Sequence, residues 1–403
     1  MKSARNWGRL GMKYNRYKIK DLISEISMGP FGSNIKVECF VDSGIPVLNG
    51  SNLIGFALND GSFRYVTEEK ANSLGKANAY RGDVVITHRG TLGQIVFIPS
   101  DSKFERYVIS QSQFRVKCNE KIMPEYLTYY FHTKIGQHKL LSNASQVGVP
   151  ALARASTSFQ ELEIEIPPMI QQQKVVSLLE TIRVKIELNN AINDNLEQQA
   201  RTLYQRMFID NPVSEGYMGT LSDIADITMG QSPNGSSYNE DGNGAVFFQG
   251  RAEFGFRFPS VRLYTTEPKR MACANDTLMS VRAPVGDLNV AYTDCCIGRG
   301  LAAIHSKSNQ QSFVLYTMFS LHKQLDVFNG EGTVFGSINR TALTELPIFI
   351  PSDREIVKFE AIVAPIDAAI RNNYEEICRL EKIRDALLPK LMSGELDVSA
   401  IEL

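Results

Sequence analysis

The sequence predicts an α+β protein in which two mixed α/β modules are separated by two long antiparallel coiled-coil helices. Three observations predict this architecture: an internal repeat, short apolar strands in the first part of each repeat, and a long helical pattern in the second part. The composition agrees with it. The chain has 403 residues, of which 43% are hydrophobic and 22% charged, so it can form several domains with cores and is neither disordered nor fibrous.

The internal repeat consists of matched motifs whose separation decreases along the chain. Residues 22–29 match residues 223–230, which lie 201 positions later, and residues 82–86 match residues 275–279, which lie 193 positions later. Beyond Pro167 the separation is 184 and stays constant. A changing separation indicates loops that tolerate insertions, whereas a constant one indicates a helix held in register. The residues therefore predict a pseudo-twofold repeat of a variable module followed by a rigid helix.

Short strands and helices are predicted within each module. Alternating apolar residues at 84–86 and 95–98, bounded by Gly, Pro and Ser, are typical of strands. Residues 124–141 have the spacing of one helix with Pro in its first turn, and residues 313–328 repeat that pattern. Each module is therefore expected to be a small mixed α/β domain.

Two long helices are predicted at residues 170–208 and 353–392. Ser352 and Glu355 form the pattern of a capping box at the start of the second helix, and Pro365 is expected to kink or break it. Apolar residues recur in both helices at coiled-coil spacings of three, four and seven. The residues predicted to form the seam between the helices are Ile182, Ile186, Asn189, Leu196, Leu203, Ile366, Ile370, Asn373, Leu380 and Leu387.

Asn189 and Asn373 occupy equivalent seam positions in the two helices. A polar seam residue costs stability but fixes the register of a helix pair; the alternative is that both side chains simply face solvent. If the repeats obey a twofold axis, the helices run antiparallel and the modules are mutually inverted. Such an arrangement suits a bipartite, nearly palindromic target, for which DNA with two separated half-sites is an example.

The pattern divides the chain into five predicted segments. These are an N-terminal extension at 1–16 that fits no predicted element, a first module at 17–168, a central helical spacer at 169–210, a second module at 211–351, and a C-terminal helical spacer and tail at 352–403. The net charge is −1, so bulk charge gives no argument for nucleic acid. A local basic surface is suggested only at residues 1–36, which contain eight Lys and Arg but only two acidic residues, Asp21 and Glu25.

Motifs for catalysis and for cofactors are missing from the sequence. It has no phosphate-binding loop, no H-E-x-x-H and no G-x-S-x-G, and its five histidines are scattered. The six cysteines show neither C-x-x-C nor a histidine at metal spacing, so we expect free thiols in a reducing cytoplasm and no metal site. No apolar run has the length of a membrane-spanning helix. The sequence therefore predicts a cytoplasmic protein that is not an enzyme.

Several motifs resemble the target recognition domains of type I restriction-modification specificity subunits. In the second module these motifs are Met-Gly-Gln-Ser-Pro at 229–233, Tyr-Asn at 238–239, and the segments 247–255, 279–286 and 296–302. The first module resembles the same domain more loosely at 80–85, 89–93 and 109–112. Residues 171–208 and 387–395 resemble the two helical regions of that family, so the resemblance extends over nearly the whole chain from about Tyr17.

The resemblance implies a division of labour between subunits. A specificity subunit of this family reads an asymmetric, split site on double-stranded DNA, with one recognition domain for each half. Its helical spacer docks two methyltransferase (M) subunits, which carry S-adenosylmethionine and flip out adenine, and through them the restriction (R) subunits with ATP and Mg²⁺. This chain would then bind no cofactor and catalyse nothing. Two alternatives remain: a DNA-recognition subunit of a type IIB or other phage-defence methyltransferase system, and a protein scaffold that does not bind DNA.

The candidate DNA-binding residues are polar side chains on the loops after the repeated glycine and at matched turns. Asn and Gln can pair with adenine through two hydrogen bonds, and Arg or Lys with guanine. Arg89 and Arg282 occur in both repeats, which favours a phosphate or scaffold contact over base reading. The candidates are Ser33, Asn34, Lys36, His88, Arg89, Thr91, Gln94, Gln231, Ser232, Asn234, Ser236, Tyr238, Gln249, Arg251, Arg282 and Arg299.

Overall fold

The computed structural model describes residues 14–30, 34–145, 148–210, 215–330 and 336–399. The chain divides into two compact units. Unit 1 consists of Met1–Glu187 together with Ile377–Leu403, and unit 2 is Leu188–Glu376. Each unit therefore contains one of the two modules and part of each long helix. The five predicted segments separate modules from helices instead, and they remain a prediction.

Unit 1 contains three main sheets. Its strands are β1 (Asn15–Lys18), β2 (Ile23–Met28), β3 (Phe40–Val41), β4 (Ile45–Val47), β5 (Arg64–Val66), β6 (Asn78–Tyr80), β7 (Asp83–Thr87), β8 (Ile95–Phe97), β9 (Arg106–Val108), β10 (Gln113–Cys118), β11 (Ala144–Ser145), β12 (Ala151–Leu152) and β13 (Glu163–Ile166). The sheets have the orders β2-β10-β7-β8, β3-β5-β4-β9-β6 and β1-β13, and a short β11-β12 pair accompanies them. The helices α1 (Glu68–Ser73), α2 (Pro124–His132), α3 (Lys134–Leu140) and α4 (Ala155–Gln160) complete this module.

Unit 2 repeats the three main sheets strand for strand, and the β11-β12 pair has no counterpart among its described residues. Its strands are β14 (Gly216–Thr220), β15 (Ala225–Met229), β16 (Tyr238–Asn239), β17 (Ala245–Phe248), β18 (Leu263–Thr265), β19 (Met271–Ala272), β20 (Thr277–Ser280), β21 (Leu288–Val290), β22 (Cys295–Ile297), β23 (Leu301–Ser306) and β24 (Pro347–Pro351). The sheet orders are β15-β23-β20-β21, β16-β18-β17-β22-β19 and β14-β24. Between α5 (Met169–Tyr204) and α10 (Asp353–Ser393) the module has the helices α6 (Leu221–Ile224), α7 (Gln311–Ser320), α8 (His322–Asp326) and α9 (Arg340–Thr344).

Individual hydrogen bonds confirm the repeat at the level of single residues. In unit 1 the amide of Gly29 donates to the carbonyl of Gln113 at 2.8 Å, and in unit 2 the amide of Gly230 donates to that of Leu301 at 2.9 Å. The β4–β9 pair is parallel, and so is its counterpart β17–β22. The predicted fold class and internal repeat are therefore confirmed, and the predicted strands at 84–86 and 95–98 are β7 and β8.

The single helix expected at residues 124–141 is wrong, because α2 and α3 are separate. Thr133 between them is extended, with φ −73° and ψ 158°. Its Oγ1 accepts the amide of Gly136 at 3.0 Å, so the threonine caps α3 at the point where α2 ends. Residues 313–328 likewise divide into α7, α8 and a short 3₁₀ turn. Apolar spacing alone does not reveal such a break.

The two long helices are close to the predicted ones. α5 continues into a π-helical turn at Gln205–Asp210. α10 runs unbroken through Pro365, so the expected break is wrong. Pro365 removes one hydrogen bond to the carbonyl of Ala361, but both residues are exposed and water can satisfy that carbonyl. Meanwhile Val363, fully buried, holds this turn in the core of unit 2.

The predicted capping box at the start of α10 is also wrong. The hydroxyl of Ser352 is buried and has no hydrogen-bond partner among the described residues. Glu355 instead pairs with Lys358, one turn further along. The start of the helix is held by backbone contacts, since the amide of Ser352 donates to the carbonyl of Glu215 at 3.0 Å. A sequence pattern of this kind leaves open which partner the acidic side chain takes.

The predicted seam joins the two long helices within each unit. In unit 1, Ile182 and Ile186 share a cluster with Ile377, while Leu380 and Leu387 pack against it. In unit 2, Ile370 is fully buried, and Leu203 and Ile366 pack against the same core. Leu196 is half-buried.

The seam asparagines face the opposite helix and not solvent. Asn189 is 1% exposed and donates its Nδ2 to Glu376 at 2.8 Å. Asn373 donates its Nδ2 to the Oδ1 of Asn193 at 2.8 Å. As residue numbers rise along α5 their partners fall along α10, so the helices are antiparallel in unit 2. Both asparagines are therefore register-setting contacts, as the first of the two interpretations predicts.

The basic cluster at the start of the chain is balanced by acidic residues on the neighbouring strand. Strand β1 includes Asn15 and Arg16 from the predicted extension, and residues 1–13 lie outside the described part of the chain. Lys18 and Lys20 both bind Glu161, at 2.6 and 2.9 Å. Within the described part of this cluster, Arg16, Lys18 and Lys20 are thus paired with acidic side chains, whereas Lys36 is exposed. Among the described residues no helix is both long and apolar enough to cross a bilayer.

Candidate nucleic-acid interface

Three loops of unit 2 meet next to Gly230, which follows β15. A Cβ atom at Gly230 would lie 2.1 Å from the carbonyl oxygen of Gly298, so only glycine fits this crossing. The next amide, of Gln231, donates to the carbonyl of Ile297 at 3.0 Å. These contacts hold the loop after β15 against the turn between β22 and β23. The glycine that marks the repeat in the sequence is therefore a packing requirement.

The third loop follows β17 and carries Gln249. The amide of Gly298 donates to the carbonyl of Phe248 at 2.8 Å, and a Cβ at Gly300 would lie 2.9 Å from the carbonyl oxygen of Gln249. We call the surface formed by residues 231–232, 249–251 and 298–300 the three-loop surface of unit 2. The side chains of Gln231, Gln249, Arg251 and Arg299 are exposed on it.

Two further contacts fix this surface. The backbone amide of Arg299 donates to the hydroxyl of Ser232 at 3.3 Å. Arg251 forms an ion pair with Asp287, and both side chains remain partly exposed. The guanidinium of Arg299, in contrast, is left available on the surface with its backbone held in place. This is the geometry that a base-reading or phosphate-binding arginine requires.

The other candidates of unit 2 lie beside the three-loop surface. Asn234 and Ser236 are exposed on a turn, whereas the Tyr238 hydroxyl donates to the carbonyl of Pro233 at 3.1 Å and its ring packs 4.8 Å from that of Phe247. Arg282 is exposed, and its backbone pairs with that of Ser337. Tyr238 thus has structural contacts, whereas the exposed side chains of Asn234, Ser236 and Arg282 are available to a ligand.

In unit 1 the candidates separate into surface and internal side chains. Asn34, Lys36, Arg89 and Thr91 are exposed, and Ser33 lies outside the described residues. Gln94 is committed internally: its Nε2 donates to the carbonyl of Gly50 at 2.9 Å.

His88 of unit 1 is half-buried. Its Nε2 lies 3.1 Å from the carbonyl oxygen of Gln111, and burial lowers the pKa of His88 below its usual range. The histidine is therefore neutral near pH 7 and can donate one hydrogen bond to that carbonyl. Such a contact supports the neighbouring loop more directly than it offers a group to DNA.

Sequence reasoning missed two residues that the repeat places on the equivalent surface of unit 1. Asn49 stands where unit 2 has Gln249, and Gln111 where it has Arg299, because β4 pairs with β9 as β17 pairs with β22. Both side chains are exposed. A cleft of about 410 Å³ lies beside them, lined by residues that include Arg64 and Ser110. Extending the repeat offsets from the glycines to the neighbouring loops would have found both.

Cys273, Asp276 and His305 are brought together although the sequence predicts no metal site. Their ligand atoms lie within 4.8 Å of one another. Both oxygens of Asp276 are already bonded, Oδ1 to the His305 ring at 2.6 Å and Oδ2 to the amide of Cys273 at 2.8 Å. Asp83 of unit 1 accepts the amide of Tyr80 in the same way at 2.9 Å. The position of the aspartate is therefore explained by the turn that it stabilises.

Each unit thus combines one mixed α/β module with part of both long helices, and comparison with known proteins finds a matching family. Residues 33–198 match the family model described as the type I restriction modification DNA specificity domain. The resemblance inferred from the sequence motifs, to the specificity subunits of type I restriction-modification systems, is thereby confirmed.

Individual relatives match over almost the full chain. A protein of Methanocaldococcus jannaschii assigned as the specificity subunit of the type I restriction enzyme MjaX is 27% identical, covering 94% of this chain and 93% of its own. The type I restriction enzyme MjaIX specificity subunit of the same organism is 23% identical over 98% and 96% of the two chains. A type I restriction-modification S subunit from M. genitalium has the same fold, with a TM-score of 0.58 at 16% identity over 97% and 98%. The relatives are named as specificity subunits or S subunits of type I systems.

Proposed function

We propose that this chain is the DNA sequence-specificity subunit of a type I restriction-modification complex and reads a bipartite, asymmetric site with one module for each half. The observation that carries the proposal is the three-loop surface, whose loops after β17 and β22 recur after β4 and β9 of unit 1 with different exposed side chains. Unit 2 offers Gln249 and Arg299 where unit 1 offers Asn49 and Gln111. Two copies of one scaffold with unlike side chains suit two unlike half-sequences.

The chemistry of these side chains supports base reading in the major groove. An amide presents a donor and an acceptor together, which match the edge of adenine, and a guanidinium matches the edge of guanine. Arg89 and Arg282 hold equivalent places beside the two surfaces and are exposed in both. A cation shared by modules that read different bases fits a phosphate contact, which positions DNA without selecting a sequence.

In this proposal the two long helices dock two M subunits, and through them the R subunits. S-adenosylmethionine, ATP and Mg²⁺ then belong to those partners. Those partners carry out catalysis, and this chain determines the DNA sequence at which they act. The same surfaces would serve a type IIB or other phage-defence methyltransferase equally well, so the partner encoded beside the gene distinguishes the two systems.

The test is a methylome comparison in a host that expresses the chain with its M subunit. Loss of the chain should abolish one bipartite methylation motif. Replacing residues 213–349 with the matching segment of a relative should change one half of that motif and leave the other half intact. Alteration of both halves, or an unchanged motif, would contradict independent reading by two modules. Binding to DNA that does not weaken with salt would favour the scaffold alternative instead.

A further inference from the structure

Arg257 links the module of unit 2 to both long helices. Its side chain is 4% exposed and lies in the loop before β18. The guanidinium donates to Glu197 of α5 and to Asp367 of α10, each at 2.9 Å. It also donates to the hydroxyl of Tyr316, on α7, at 3.2 Å. One module side chain is therefore held by two acidic residues that come from different helices.

This network is strongly coupled. Tyr316 donates its hydroxyl to the same Asp367 oxygen, at 2.9 Å, so the carboxylate is shared by the tyrosine and the arginine. Burial acts to lower the pKa of Arg257, but Tyr316, Asp367 and Glu197 outweigh it and raise that pKa, so the group stays charged. Removing one partner of a buried ion pair leaves an uncompensated charge and is strongly destabilising.

Unit 1 fills the equivalent place with a phenylalanine. The carbonyl of Phe56 accepts the amide of Phe97, at the end of β8, as the carbonyl of Arg257 accepts that of Val290, at the end of β21. The ring of Phe56 lies 4.8 Å from that of Tyr129, and Arg384 of α10 lies 5.2 Å above it. Tyr129 itself donates to Glu180 of α5 at 2.6 Å, as Tyr316 does to Asp367.

The polarity of the contact is thus reversed between the units. In unit 1 the module supplies an aromatic ring and the helices supply arginines, Arg384 above the ring and Arg183 beside Glu180. In unit 2 the module supplies the arginine and the helices supply the acids. The helix residue 184 positions after Arg183 is Asp367, so the charge is reversed at this one matched position of the repeat.

We propose that the residue at this position, Phe56 or Arg257, determines which pair of helix segments each module can pack against stably. A module 1 placed on the helices of unit 2 would set Phe56 against Glu197 and Asp367 and leave both carboxylates without their cation. Tyr129 would still supply the hydroxyl that Tyr316 supplies. Modules can then be exchanged between chains at the same position, but not between the two positions of one chain.

A graft in the full-length chain tests this directly. Residues 19–166 replace residues 221–350, once unchanged and once with Phe56→Arg inside the transplanted copy. The graft that carries Phe56→Arg should melt at least about 5 °C higher than the unchanged graft, because it restores the buried ion pairs. Two grafts that melt together would overturn the proposal. The readout is thermal unfolding without DNA, so it is independent of the proposed function.

A second experiment in the native chain covers the case in which neither graft folds. Arg257→Met is made alone and in a background with Glu197→Gln and Asp367→Asn. The substitution should lower the melting temperature clearly in the native background and much less where the acids are already neutral. Arg270→Met, on an exposed arginine of the same module, serves as the control and should leave the melting temperature almost unchanged. An equal loss in both backgrounds would show that Arg257 does not act through the acids.

Discussion

The candidate surfaces of the two units share a backbone crossing but differ in charge. Both are closed by a glycine whose Cβ would collide with a carbonyl oxygen, Gly29 at 1.9 Å from Ser110 and Gly230 at 2.1 Å from Gly298. The surface of unit 2 then carries Arg299, whereas that of unit 1 carries the neutral Gln111. The comparison separates two roles: glycines and strand register build the surface, and in our proposal the exposed side chains select the bases.

Loss of the shared backbone crossing should have the largest effect. Gly230→Ala forces the loop after β15 away from Gly298 and disperses the three-loop surface of unit 2. DNA binding by the chain with its partner should fall by roughly 100-fold or more, on the order of 3 kcal/mol. The measurement is a binding titration on the full bipartite site.

Gly235→Ala is the matched control for that substitution, because no atom lies within 4 Å of the Cβ that it adds. It should bind almost as the unaltered chain does. Equal losses from both substitutions would mean that the crossing at Gly230 is not what organises the surface.

The difference in charge predicts a difference in salt dependence. Arg299→Ala should weaken binding by roughly 1–3 kcal/mol and lower the slope of affinity against salt by about one unit. Gln111→Ala, at the equivalent place in unit 1, should weaken binding without changing the slope, since an amide displaces no counterion. Binding titrations over a salt series check both, and identical slopes for the two variants would contradict the assignment of Arg299 to a charged contact.

A smaller effect distinguishes the units on acidification. Burial lowers the pKa of His132, which contacts the carbonyl of Ile95 at 2.8 Å, whereas the equivalent helix of unit 2, α7, contains no histidine. The folded state therefore keeps the ring neutral, while the unfolded state takes up a proton below its ordinary pKa of 6.5. The free energy of unfolding is therefore highest above pH 6.5 and decreases as the pH falls below that value. The decrease amounts to about 1.4 kcal/mol for each unit by which folding lowers the pKa.

His132→Gln tests this difference, since it removes the titrating group and keeps a donor. Urea unfolding at pH 7.5 and 5.5 should show a smaller loss on acidification for the variant than for the unaltered chain. A variant with the same pH dependence would assign the effect to other groups, of which the half-buried His88 is the first to examine.

The sequence predicts the repeat, the long helices and the seam because these depend on periodic apolar residues. Ile182, Ile186 and Ile370 are buried as their spacing indicates, and Asn189 faces the opposite helix. Contacts with residues that are distant in the sequence could not be predicted from periodicity. The spacing around Thr133 gives no sign that it ends one helix and caps the next, and nothing local distinguishes Ser352 from a working cap.

The candidate site was predicted in part for the same reason. Gly230 and Arg299 carry recognisable motifs, but Gln111 and Asn49 lie in variable loops of unit 1 and acquire meaning only from strand pairing. Gln94 looks like a reader in sequence, yet its amide serves the carbonyl of Gly50. A polar side chain in a loop has many possible partners, and only the fold decides which of them it meets.

The segmented make-up of unit 1 has a consequence for the order of synthesis. Leu388, Leu391, Met392 and Val398 are buried in the same core as Val175 and Leu179, and Lys174 donates to the carbonyl of Ser399 at 2.6 Å. A ribosome delivers all of unit 2 before it delivers this last segment. The core of unit 1 is therefore complete only after the last residues have been synthesised. A premature stop after residue 376 would leave every residue of unit 2 in place but remove part of the core of unit 1, which is translated first.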